Sequence, residues 1–327
     1  MNIALVGFGY WGPNVAKHLF NNKKINLSAI CDSNITNLEK AKQIYVSQTS
    51  YLSDYNFAIN DDNIDAIAIA VETSQHYVIS KKALLAGKHI YVEKPFTSTV
   101  EEAKELEKIA IEKNLIIHVN HIMLFHPVIK KIKSIIDSGD LGELIYIDST
   151  RLNLGPIKKD VSAMWDLAVH DLAIIDHISD GEDFKSLNAM GDKRYNPKES
   201  LVFLSIRYNT FIANIQSNWI SPVKERRLII VGTKKMIVFD DMKMAEKLIV
   251  YDKGISVVSG NNPQYDDYVV RTREGSAVLP YVEVGDALYN SIEHFIECIE
   301  NKSESISGPT QAIRMLEILI SATEVFD

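Results

Sequence analysis

Cysteine is nearly missing from this chain of 327 residues: Cys31 and Cys298 are the whole complement, and neither belongs to a C-x-x-C pair. Their scarcity excludes a disulfide framework and a thiolate metal site, and it suits a reducing compartment. Long apolar runs are absent as well. The stretch from Ile64 to Val71 contains an Asp and falls far short of the roughly 20 residues a bilayer requires, so no membrane segment is expected. An apolar strand already opens at Ile3, which leaves no room for a secretory signal, and the cytoplasm is the expected location. Basic excess is lacking too: 35 Lys and Arg stand against 43 Asp and Glu, a net charge of -8 that argues against nucleic acid as a partner. No internal repeat or low-complexity tract occurs.

The length exceeds what one compact core supports, so two domains are expected, over residues 1–121 and 122–327. The apolar run Ile3 to Val6 leads into Gly7-Phe8-Gly9-Tyr10-Trp11-Gly12, and Val15, Ala16, Leu19 and Phe20 then recur at helical spacing. Strand, glycine turn and helix in this order fit a dinucleotide site. Gly7 makes the tight turn, Gly9 admits backbone close to a pyrophosphate, and Gly12 lets helix pack on strand. The helix start, with Pro13 in its first turn, would face the phosphates. Asp32 ends the second strand 20 residues past Gly12, where an acid holds ribose hydroxyls and repels a 2'-phosphate. Ser33 and Asn34 supply no arginine, so NAD is expected over NADP. The competing reading makes Asp32 the cap of a helix starting near Ile35.

Buried-looking strands at Ala66 to Val71, His89 to Val92 and Leu115 to Val119 alternate with helices at His76 to Ala86 and Thr99 to Lys113. This alternation predicts a doubly wound parallel sheet. Beyond Asn120 come a helix from Pro127 to Ser138, a strand from Leu144 to Leu152, and strands at Leu187 to Met190, Leu201 to Tyr208, Phe211 to Trp219, Arg227 to Val231 and Met236 to Phe239. Short turns between them predict a mostly antiparallel sheet in a second, α+β domain. The stretch from Gly260 to Gly285 shows no period and is expected to wrap a surface, and helices Ala287 to Glu300 and Gln311 to Val325 close the chain.

In Trp165-Asp166-Leu167-Ala168-Val169-His170-Asp171 the Asp166 carboxylate and the His170 imidazole stand four residues apart, on one face of a helix start. Such an imidazole can take the proton of an alcohol at neutral pH. The alternative is Asp166 as a helix N-cap with His170 on the first turn. His118, His121 and His126 span a strand and a turn with no cysteine beside them, so packing or ligand-lining roles are preferred over a metal site.

The glycine turn with Asp32, Glu93-Lys94-Pro95 at the end of the fifth strand, and Asp166 with His170 together resemble the glucose-fructose oxidoreductase, inositol dehydrogenase and MocA (Gfo/Idh/MocA) family across essentially the whole chain. The resemblance implies a Rossmann domain, an open-faced sheet domain that binds substrate and often builds a homo-oligomer (dimer or tetramer), and hydride transfer between nicotinamide and a sugar or polyol carbon. Carried over by position, it places the cofactor on Gly7, Phe8, Gly9, Tyr10, Trp11, Gly12, Asp32, Val71, Thr73, His76, Glu93, Lys94, Pro95 and Asn120, with a cis peptide before Pro95. Lys94, Asp166 and His170 become the catalytic set, and His121, Arg151 and Trp165 join them at the substrate. Met123 and Leu124 stand where many relatives carry an arginine, so one substrate contact of the family is missing.

Arg151, Lys158 and Lys159 put positive charge ahead of the catalytic helix, which favours an anionic sugar. A nucleotide-diphosphate sugar oxidised at C3 is the expected substrate. The opposite reading has Asp160 balancing the lysines and Arg151 paired with a carboxylate at the edge of the core. A plain sugar or polyol dehydrogenase, a redox-neutral oxidoreductase with retained cofactor, and a dinucleotide-sensing regulator complete the alternatives.

Overall fold

The computed structural model describes residues 1–45, 49–158, 161–195, 197–259 and 268–326. The chain forms two units, Met1–His126 with Gly285–Glu317, and Pro127–Val284 with Ile318–Asp327.

In the first unit, strands β1 (Asn2–Val6), β2 (Asn26–Cys31), β3 (Ser50–Leu52), β4 (Ala66–Ile69), β5 (His89–Val92) and β6 (Ile117–Val119) form one sheet in the order β3-β2-β1-β4-β5-β6. Every pairing is parallel. Helices α1 (Gly12–Asn21), α2 (Ile35–Ile44), α3 (Tyr55–Ile59), α4 (Thr73–Leu85) and α5 (Val100–Lys113) supply the crossovers. Cover on both faces explains why β4, Ala-Ile-Ala-Ile, is buried at every position. Strand order reverses between β2-β1 and β4, and such a switch point opens a crevice at the carboxyl ends of the strands.

Residues 122–327 do not form one unit, as the sequence reading expected. The boundary falls after His126, and Gly285–Glu317 belongs with the first unit. Helix α8 (Ala287–Asn301) accounts for this. It buries Leu288, Ile292, Phe295 and Ile296 in the same cluster as Ile3, Leu5, Val15, Leu19 and Tyr91. Those four positions form one helical stripe, and at about 1.5–3 kcal/mol per fully buried large apolar side chain the stripe alone attaches the helix firmly. After α8 the chain covers the edge of β6, where the Val119 N–H donates to Ser307 O at 2.8 Å. Helix α9 (Pro309–Glu324) follows.

The second unit holds α6 (Pro127–Asp137), α7 (Val169–Ile178) and an eight-stranded sheet. Its strands are β7 (Leu144–Leu154), β8 (Phe184–Asp192), β9 (Leu201–Tyr208), β10 (Ile212–Asn218), β11 (Ile220–Gly232), β12 (Met236–Asp240), β13 (Leu248–Tyr251) and β16 (Ala277–Val278), in the order β16-β13-β12-β11-β7-β10-β9-β8. Within this sheet only β7 and β10 pair in parallel among the described strands. Alternation is clean in β9, where Val202, Leu204, Ile206 and Tyr208 are buried and Phe203, Ser205 and Arg207 exposed. The stretch from Gly260 to Gly285, which shows no period in the sequence, contributes strands. There β14 (Gly254–Ser259) pairs antiparallel with β15 (Tyr268–Arg273), while 260–267 lie outside the described residues. No helix among the described residues is long and apolar enough to cross a membrane.

Candidate active site

At the β1–α1 turn of the first unit, Gly7 has φ +98°, open to glycine at no steric cost, and its N–H donates to Cys31 O at 2.8 Å. A Cβ at Gly12 would collide with the Gly7 carbonyl oxygen, whereas one at Gly9 would meet nothing within 4 Å. The turn is therefore packed tightly against itself and open on its outer side. Helix α1 begins there with no side-chain cap and with Pro in its first turn; the Asn14 N–H already donates to Trp11 O at 2.9 Å, so the helix start offers an anion mainly the positive end of its dipole. These features fit a dinucleotide pyrophosphate. Tyr10 projects from the turn, 96% exposed.

The cap on α2 is Asn34, whose side chain accepts from the Thr36 N–H, and not Asp32. Asp32 instead ties the turn to the end of β2. Its Oδ2 accepts from the Phe8 N–H at 2.7 Å and from Asn37 Nδ2 at 3.1 Å, and its Oδ1 from the Asn34 N–H at 2.8 Å. A carboxylate offers about four acceptor sites, so ribose hydroxyls can still bond here.

The strand ends beyond β4, β5 and β6 gather the next group. The Lys94-Pro95 peptide is cis. Asn120 Nδ2 donates to Glu93 Oε1 at 2.6 Å. Loss of solvent pushes the Glu93 carboxyl up to about 7, against the opposing pull of Asn120, Lys94 and Trp11. His76 lies between two loops, with Nδ1 at 2.8 Å from Pro95 O and Nε2 at 3.1 Å from Val71 O. Burial lowers its basicity. His121 is buried and neither ring nitrogen has a hydrogen-bond partner among the described residues; burial, then the charge of Lys94, pushes it down to about 3. A neutral imidazole results. Thr73 starts α4 and is partly exposed.

In the second unit, Asp166 is not a helix cap. It lies inside a π turn, Met164–Ala168, that runs directly into α7. Such widened turns concentrate at functional sites. Asp166 Oδ1 accepts from Lys158 Nζ at 2.8 Å, and both Asp166 and His170 are partly exposed on an element whose neighbours Ala168, Val169, Asp171 and Leu172 are buried. The Trp165 indole N–H donates to Thr323 Oγ1 at 3.2 Å.

Arg151 departs from the substrate role assigned to it. Its Nε and Nη2 grip Asp171 Oδ2 and Oδ1 at 2.9 and 2.8 Å, with the residues 7% and 2% exposed. The guanidinium is thus spent on a core carboxylate between β7 and α7, the second of the two readings open in the sequence. Lys159 and Asp160 lie outside the described residues. Sequence reasoning also missed the pairing of Lys158 with Asp166, and the links from Glu93 through Asn120 to Ser291 and His118. Residues so far apart in the chain leave no local signal. Among the described residues no group of three His, Cys, Asp or Glu could hold a metal ion.

Comparison with known proteins gives a family. A model described as an oxidoreductase family with an NAD-binding Rossmann fold matches residues 1–121, and a GFO/IDH/MocA C-terminal domain model matches residues 129–238. UDP-N-acetylglucosamine 3-dehydrogenase of Acidithiobacillus ferrooxidans is 26% identical over 72% of this chain and 70% of its own length. The scyllo-inositol 2-dehydrogenase (NAD(+)) of Bacillus subtilis is 25% identical over 82% and 77%. The solved Acidithiobacillus enzyme superposes with TM-score 0.82 at 23% identity, covering 100% of this chain and 97% of that one. An Agrobacterium radiobacter oxidoreductase in complex with NAD+, L-tartaric acid and magnesium superposes with TM-score 0.80 at 17% identity, covering 99% and 96%.

Proposed function

Because the chain belongs to the Gfo/Idh/MocA oxidoreductase family, we propose that it is an NAD-dependent dehydrogenase that oxidises a ring carbon of a sugar, with a nucleotide-linked sugar and its C3 hydroxyl as the leading substrate. The observation that carries this reading is the π turn into α7, which holds Asp166 against Lys158 and presents His170 one turn later. A regulator that only senses dinucleotide has no physical need for such a proton-handling set.

The first unit supplies the cofactor groups: the glycine turn and α1 start for the pyrophosphate, Asp32 for the adenosine ribose, and Glu93-Lys94-Pro95 for the nicotinamide end. When bound, NAD supplies the hydride acceptor. An imidazole nitrogen of His170 takes the hydroxyl proton, because a carbinol carbon releases hydride only as its oxygen loses that proton. The role carried over to Lys94 Nζ is to offset negative charge that develops during the reaction. Asp166, steadied by Lys158, binds the sugar and fixes its orientation. Support for the nucleotide-linked form rests on the named activity of the Acidithiobacillus relative, not on Arg151, whose charge Asp171 neutralises.

NADH formation measured across free sugars, polyols and their nucleotide-linked forms tests the proposal. Equal kcat/KM for free and nucleotide-linked sugars would leave a plain sugar or polyol dehydrogenase. NADH binding without turnover of any sugar would favour the sensor.

A further inference from the structure

A line of hydrogen bonds inside the first unit runs from the segment before α9 to Glu93, and each bond in it has a forced direction. At the outer end the Ser307 N–H donates to Ser305 Oγ at 3.1 Å, and the Ser305 hydroxyl lies 2.9 Å from His118 Nδ1, to which it donates because the inner end of the line places the His118 proton on Nε2. His118 then carries its proton on Nε2, which donates to Ser291 Oγ at 2.9 Å. Tyr91 OH lies 3.1 Å from the same oxygen. Asn120 Oδ1, at 3.1 Å, can only accept, so Ser291 spends its one proton there and its lone pairs accept from Tyr91 and from His118 Nε2–H. The amide of Asn120 is thereby held with its other end, Nδ2, toward Glu93 Oε1. Tyr91, His118, Asn120 and Ser291 are each at most 2% exposed, so no water competes for these bonds.

We infer that Ser291, on α8, is a positioning residue: with His118 and Tyr91 it orients the Asn120 amide as a donor and so supports the ionised form of Glu93 beside Lys94. Without the Ser291 hydroxyl the amide is free to turn over, which would aim its oxygen at the carboxyl group and favour a protonated Glu93. The charged and titratable groups around Glu93 are Lys94 and Tyr91 from β5 and its end, and His118 and His121 from β6 and its end. Burial lowers His118 well below its usual range, and His121 is likewise neutral, so Lys94 is the cation of this set. The link to catalysis rests on the proposed reading of Glu93-Lys94-Pro95 as the nicotinamide end; the network itself does not.

Infrared titration of the full chain tests the inference without substrate or cofactor. The protonated-carboxyl band of Glu93, assigned by its loss in Glu93→Gln, should persist in Ser291→Ala to a pH higher by roughly one unit, the size expected when a carboxylate loses a hydrogen bond. Ser291→Thr, which keeps the hydroxyl, should restore the wild-type midpoint. Tyr91→Phe, which removes one donor and no carbon, should move it the same way by less. NADH affinity measured against pH should shift with the band. A Glu93 midpoint within about 0.3 units of wild type in both Ser291→Ala and Tyr91→Phe would overturn the inference. A chain that shows the shift but binds no NADH would instead overturn the functional reading.

Discussion

Asp171→Ala should unfold the second unit at markedly lower urea or temperature, and the size of the effect follows from the Arg151 pair. Both residues lie in the core between β7 and α7, joined by two charge-assisted bonds of 2.8–2.9 Å. Removing one partner strands a guanidinium that cannot lose its charge, at a cost of about 3–5 kcal/mol. For a unit of this size each kcal/mol lowers Tm by about 2–4 °C, so a fall of roughly 6–20 °C is expected. Removing both charges relieves the desolvation penalty with them, and Arg151→Met combined with Asp171→Leu should return to within about 2 kcal/mol of wild type. The three tryptophans make the assay specific. Trp11 lies in the first unit and Trp165 and Trp219 in the second, so emission in a Trp11→Phe background follows the second unit alone. A loss below about 1 kcal/mol in Asp171→Ala, or a double variant no better than the single one, would refute the argument.

His170→Ala should lower turnover by roughly 10²- to 10⁴-fold while NADH binding survives; turnover within a few-fold of wild type across pH would place the base elsewhere. Asp32→Ala should narrow the preference for NAD over NADP and, by freeing the Phe8 N–H, weaken both cofactors in side-by-side titrations; a wild type that prefers NADP would remove the basis for this. Gly12→Ala, with its methyl driven into the Gly7 carbonyl, should abolish NADH binding while Trp165 and Trp219 report an unchanged second unit. With the Glu93 carboxyl raised from 4.5 to about 7, the folded state keeps a proton that the unfolded chain has released, so this group's stabilisation is lost at about 1.4 kcal/mol per unit as pH rises through that window. His121, pushed down from 6.5 to about 3, acts with opposite sign, and subtracting the stability of Glu93→Gln from wild type at each pH isolates Glu93. A flat difference between pH 4.5 and 7 would show that the carboxyl titrates normally.

What was legible in the sequence is what local chemistry demands. Gly7 and Gly12 stand where the backbone tolerates nothing larger, and the unbroken apolar run of β4 marks a strand covered on both faces. The family followed from the order of three such landmarks. Partnerships across the fold were not legible. Arg151 and Asp171 sit 20 residues apart on a strand and a helix, and either a phosphate or a carboxylate satisfies a guanidinium equally well on paper. The apolar stripe of α8 announced a helix but not which core it would enter. Asp32 and Asn34 both suit a helix cap, and only the Phe8 N–H decided between them. The pairing of β14 with β15 joins residues about 10 to 20 positions apart, and no turn signal at a fixed short spacing announced it.

The return of Gly285–Glu317 to the first unit also sets a timetable for biosynthesis. The ribosome completes the parallel sheet by His126, yet the stripe of Leu288, Ile292, Phe295 and Ile296 that closes its apolar cluster is translated much later. At about 5–20 residues per second, the stretch of about 160–170 residues between His126 and that stripe delays closure by on the order of ten to thirty seconds. Throughout that interval the nascent sheet carries an open apolar face, a natural substrate for a chaperone. A shortened chain that stops before α8 would keep that face open permanently.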